Sequence, residues 1–82
     1  MCFKLFKGKT ITEFKSKIEY FQDGSIKRKY FIDNEGHLQG EYVEYRENGK
    51  LWVHCYYKSD QLIKTYKQYY IDGKLWNYHQ YN

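Results

Sequence analysis

Eighty-two residues form one small domain, and a chain of this length buries only about 60 to 65% of the surface its unfolded form exposes, so its core is thin. With eleven Tyr, five Phe and two Trp but no Pro, the composition favours flat, half-buried strand faces over a spherical aliphatic core. Two cysteines, Cys2 and Cys55, with no Cys-x-x-Cys pair exclude a dense disulfide framework and read as free thiols in a reducing compartment, while the net charge of +4 admits an anionic partner.

The apolar stretch within residues 1–7 is too short for a signal peptide, and no segment reaches the roughly 18 apolar residues of a membrane span. The chain is therefore expected to be cytoplasmic or otherwise intracellular, neither secreted nor transmembrane. From Lys9 to Phe21 the even positions Thr10, Thr12, Phe14, Ser16, Ile18 and Tyr20 oppose a mostly charged odd set, which is the period of a strand. After Asp23-Gly24 the alternation resumes through Ile26, Arg28, Tyr30 and Ile32 and ends at Asp33-Asn34-Glu35-Gly36. Leu38, Gly40 and Tyr42 lead to Asn48-Gly49, a hairpin signal read as a type I′ turn because both residues tolerate positive φ. Leu51, Val53, Cys55 and Tyr57 make the fourth segment, Leu62 to Tyr70 the fifth after Ser59-Asp60, and Leu75 to Tyr81 the sixth after Asp72-Gly73.

The three Asx-Gly turns are 25 and 24 residues apart, and the two turns between them halve that step. None of the six segments is long enough for an ordinary helix. The expected fold is all-β, an elongated, twisted antiparallel meander of about three hairpins, with a small SH3-like barrel as the alternative. Two-residue loops would set Tyr20 opposite Lys27, Tyr45 opposite Trp52 and Tyr69 opposite Trp76, with Phe21, Arg46 and Tyr70 opposite Ile26, Leu51 and Leu75 on the other face.

The run from Leu38 to Trp52, with its Leu-x-Gly, Tyr and Asn-Gly-Lys-Leu spacing, resembles the MORN repeat in its bacterial and viral form, and Gln68 to Trp76 repeats the second half. Residues 20–82 carry the resemblance as units 20–44, 45–68 and a partial 69–82, while residues 1–19 match poorly and are expected to be an N-terminal strand or cap. Lys64 stands where the pattern has the glycine of Gly40, and Asp60 replaces a turn glycine. The resemblance implies a hairpin array that serves as an interaction scaffold, sometimes linked to membranes or to dimerisation, with relatives labelled as antitoxin components that would inhibit a partner protein. With the Lys-, Tyr-, Ile- and Asn-rich composition of an AT-rich genome, it also implies a virus-encoded origin as one expectation.

Catalytic chemistry has little support. His54 and Cys55 are adjacent on a strand and point to opposite faces, so they do not share a metal, and no Gly-rich phosphate loop or nucleophile elbow is present. A non-enzymatic module with no cofactor and no metal is expected. Two surfaces are candidates. Tyr20, Tyr45, Trp52, Tyr69 and Trp76 form an aromatic column able to receive a protein or stacked bases, or else the spine of the array itself. Lys15, Lys17, Lys27, Arg28 and Lys29 form a basic stretch, since residues 1–32 carry +5 and residues 33–82 carry −1. It is read as a possible anion site for nucleic acid or an anionic membrane, or as a solvated strand face that discourages aggregation. A single aromatic layer has open edges and uncovered apolar area, so a protein partner or a homodimer is expected.

Overall fold

A computed structural model describes residues 14–81, so the expectations for Cys2 and for pairing by residues 9–13 lie outside the described residues. Six strands follow one another: β1 (Lys15–Tyr20), β2 (Ile26–Ile32), β3 (Gly40–Tyr45), β4 (Leu51–Lys58), β5 (Gln61–Tyr69) and β6 (Leu75–Gln80). Each pairs antiparallel with the next in a single sheet ordered β1-β2-β3-β4-β5-β6. β1 and β6 do not meet, so the sheet is an open meander, not the alternative SH3-like barrel. The described residues span 49 × 34 × 19 Å with a radius of gyration of 15.3 Å, against about 11 Å for a globule of that many residues. That elongation follows from building with one layer.

Register places whole rows of side chains on each face. One row crosses all six strands as Glu19, Arg28, Glu44, Val53, Gln68 and Asn77, and beside it run Tyr42, Cys55, Tyr66 and His79. The opposite face carries Ile18, Lys29, Val43, His54, Lys67 and Tyr78. The core sits where the central strands have neighbours on both sides: Val43, Val53 and Cys55 are buried, and Cys55 has no exposed surface. Around Cys55, Tyr42 packs on Tyr30 at 6.0 Å and edge-on to Tyr57 at 5.6 Å between ring centroids. Aromatic side chains suit this layer because each covers a wide area from one strand position.

None of the six expected cross-strand pairs forms, although the register that two-residue loops imply does hold farther along the strands. Glu19 faces Arg28, Glu44 faces Val53 and Gln68 faces Asn77, as two-residue loops require, but then Tyr20 faces Ile26, Tyr45 faces Leu51 and Tyr69 faces Leu75. Lys27, Trp52 and Trp76 are thus the extra residues of three β-bulges. The cause lies in the turns. Phe21 N–H donates to Ser25 O at 2.8 Å and Gly24 N–H to Phe21 O at 3.0 Å, with the same bonds over Arg46–Lys50 and Tyr70–Lys74, so each loop has three residues. Among the described residues Gly24, Gly49 and Gly73 have positive φ but Asp23, Asn48 and Asp72 do not, which rules out type I′. The Asx side chain has another task. Its Oδ1 accepts the N–H two residues on, of Ser25, Lys50 or Lys74, each at 2.9 Å.

A turn with two positive-φ centres does occur, at Ser59 (φ 49°) and Asp60 (φ 69°), where no glycine is present. Its strain is offset by bonds to the neighbouring loop: Ser59 N–H donates to Gln39 Oε1 at 3.0 Å, Asp60 N–H to Leu38 O at 3.0 Å, and Leu38 N–H to Asp60 Oδ1 at 2.7 Å. Asp33 anchors that loop, accepting from the N–H of Glu35 and His37 and from Gln39 Nε2. The Gln39 bond is the main reason its carboxyl is lowered to about 2, with the two backbone donors adding to it and burial opposing.

Candidate functional site

The tips of the three hairpins lie side by side along one end of the sheet, and there the repeat positions diverge chemically. The residue opening each loop stacks on the bulge residue: Lys27 Nζ lies 6.0 Å from the Phe21 ring centre, Arg46 lies 4.6 Å over Trp52, and Tyr70 stacks on Trp76 at 5.5 Å. These are the contacts of Phe21, Arg46 and Tyr70, in place of the expected Ile26, Leu51 and Leu75. The bulge re-aims the side chain after the turn toward the loop, which alternation alone does not reveal.

Tips two and three are joined. Arg46 Nη2 donates to Tyr69 O at 3.0 Å and Asn48 Nδ2 donates to Ile71 O at 3.2 Å. Between tips one and two lies a cleft of about 300 Å³ lined by Phe21, Lys27, Glu44, Tyr45, Arg46, Glu47 and Trp52. Sequence reasoning missed Arg46, Asn48 and Phe21 as functional positions, although the period that brings Phe21, Arg46 and Tyr70 into one column was available.

The expected aromatic surface divides. Tyr45, Trp52 and Tyr69 are half-buried between hairpins, whereas Tyr20 and Trp76 are exposed, Trp76 at 53%. Around Trp76 gather exposed Tyr70, Ile71, Leu75 and Tyr78, an apolar patch on the last hairpin. The expected basic stretch also divides. Lys15, Lys17 and Arg28 share one face, Lys29 lies on the other, and Lys27 sits in the bulge. Arg28 Nε lies 3.2 Å from Glu19 Oε1, so part of its charge is already answered.

The residues weighed for catalysis are placed apart. Cys55 is enclosed beneath Tyr42, Tyr57 and Tyr66, and burial pushes its thiol up to about 11, so the thiolate is disfavoured. His54 lies on the opposite face with Nε2 at 2.8 Å from Glu41 Oε2. Burial likewise raises Tyr42 and Tyr57 to about 12, with Glu44 adding to the first and Cys55 to the second. Among the described residues no group of three His, Cys, Asp or Glu is gathered to hold a metal ion, and no helix is long and apolar enough to cross a membrane. No protein-family model, curated protein or solved structure matches the chain.

Proposed function

We propose that this chain is a non-enzymatic, MORN-like interaction module that self-associates through β6. The observation that carries the reading is the difference between two equivalent positions: Trp52 is half-buried with β5 and the third tip beside it, whereas Trp76 is 53% exposed on a strand that, among the described residues, has a neighbour on one side only. The whole of β6 is exposed, with its apolar side chains on the tip and on the face of Tyr78. An edge of this kind is a template for another strand.

A second copy fits it by symmetry. In an antiparallel β6 pair with its two-fold axis at Asn77, Trp76 lies across from Tyr78 of the partner subunit, and the reciprocal pair forms on the other side of the axis. The recurring three-residue tips support the repeat assignment, and the division of the lysines between faces weighs against a single phosphate-binding groove for nucleic acid or an anionic membrane. Light scattering coupled to chromatography tests the reading: mass rises toward a dimer from about 1 to 100 µM, and Trp76→Glu abolishes the rise while leaving the far-UV circular dichroism intact. A strictly monomeric wild type over that range overturns self-association. Tight binding to nucleic acid that weakens steeply from about 50 to 200 mM salt would favour the basic stretch instead.

A further inference from the structure

The gap between the second and third tips is closed by two side-chain donors, Arg46 and Asn48, reaching backbone carbonyls across it. One period earlier these positions are Phe21 and Asp23. Phe21 has no side-chain donor, and the Asp23 carboxylate is an acceptor already engaged by Ser25 N–H at 2.9 Å and Ser25 Oγ at 2.6 Å. Among the described residues no side-chain hydrogen bond therefore laces tip one to tip two, and the cleft of about 300 Å³ remains between them.

Its lining has an unmet need of one kind. Arg46 Nε and Trp52 Nε1 are two of the three buried side-chain polar atoms without a hydrogen-bond partner among the described residues, and both residues line this cleft. Lys27, also on the lining, makes no ion pair among the described residues. Buried donors left without acceptors are costly, and since both atoms are shut off from solvent a ligand's acceptor reaches them only when the Arg46 and Trp52 side chains turn toward the cleft, a turn that removes a penalty the free protein carries. The walls are Phe21, Tyr45 and Trp52, which suit an apolar group. Glu44, whose Oε1 accepts the Tyr42 hydroxyl at 3.1 Å, and Glu47 at the margin repel a polyanion. That combination selects a single negative charge on an apolar body.

We infer that the cleft between the first two hairpin tips binds a peptide carboxylate next to an apolar side chain, its oxygens meeting Lys27, Arg46 and Trp52. The cleft is formed by residues of β2, β3, β4 and the first two loops, so its occupancy is independent of β6 pairing.

Trp76→Phe leaves Trp52 as the sole tryptophan of the full chain, and its emission reports on the site. Two probes separate the sources of the carboxylate: N-acetylphenylalanine carries it as a chain terminus, and N-acetylglutamylphenylalaninamide carries it on a side chain. N-acetylphenylalaninamide is the neutral control. Saturable change with at least one carboxylate, a requirement for at least about 10-fold more of the neutral amide, and a comparable loss on Lys27→Met are expected. The stronger carboxylate identifies the source. Equal saturation by the neutral amide overturns the inference, as does an unresponsive Trp52, or a Lys27→Met protein of unchanged circular dichroism that binds as before.

Discussion

The second and third hairpins carry the same pattern, yet β4 and β6 are built for different surroundings. On the face of Cys55, β4 presents Val53 and Cys55, both buried, where β6 presents Asn77 and His79, both exposed. On the other face the exchange runs the opposite way, from His54 to an exposed Tyr78, and the bulge Trp is kept. Burial in a single-layer array comes from the neighbouring strand, so a repeat position has no fixed environment. β6 is made polar on one face and left apolar on the other. That asymmetry is the ground of the proposal that a second copy docks on β6, since a strand merely finished with solvent-compatible residues would be polar on both faces.

The largest test of this comparison is alkaline. Cys55 rises from 9.0 to about 11 on folding and Tyr42 and Tyr57 from 10.0 to about 12, burial being the first cause in each. A raised acid favours the folded state fully below its unfolded value, and the contribution is lost as pH climbs through the folded one. The fold should therefore weaken from pH 9 and collapse by about pH 12, with tyrosinate absorbance and loss of strand circular dichroism moving together. Tyr57→Phe should shift the tyrosinate part of that coupling to higher pH. Titration of every tyrosine near 10 with the sheet intact would show that the centre is no more enclosed than β6.

Core truncation is the next largest effect. Val53→Ala should cost about 2 kcal/mol in urea unfolding, through lost burial and the cavity left behind. Asn77→Ala at the equivalent exposed position should stay within about 0.5 kcal/mol. Equal costs would break the comparison.

A smaller effect concerns two equivalent bulges. Gly40 has φ +84° and Lys64 has φ +62°, and in both the register slips by two residues between adjoining pairs. A Cβ at Gly40 would meet only Phe31 at 3.9 Å, so Gly40→Ala loses about 1 to 2 kcal/mol from the backbone alone. Lys64→Gly relieves the same strain but gives up a cation set 5.3 Å over Tyr56, for a net gain of about 0.5 kcal/mol. Thermal unfolding of the pair would read opposite signs.

The spacing of turn residues was enough to read six strands and their meander order, because alternation and Asx-Gly signals both report on the local backbone, but the cross-strand pairs it named at the tips were all off by one residue. Tip geometry was not legible. Asn48-Gly49 supports a type I′ turn and a three-residue loop equally well on residue type, and the choice depends on whether the Asx side chain caps Lys50 N–H. Lys64 was recognised as standing for a glycine, but nothing local says that a lysine will accept its φ. The division of the aromatic column was hidden for a different reason. Trp52 and Trp76 look alike in sequence, and only the presence of a flanking hairpin tells them apart.

The smallest effect carries the sharpest information. Trp52→Phe weakens the Arg46 stack and opens the gap that Arg46 closes, costing about 1 kcal/mol at any protein concentration. Trp76→Phe keeps an aromatic on Tyr70 and should cost less than about 0.5 kcal/mol in dilute protein. If a second copy covers β6, folding is linked to association, and the Trp76 cost must grow as protein concentration rises while the Trp52 cost does not. A Trp76 penalty that is small and flat with concentration would mean that β6 stays bare. A penalty as large as that of Trp52 even in dilute protein would mean that the edge is covered within the chain itself.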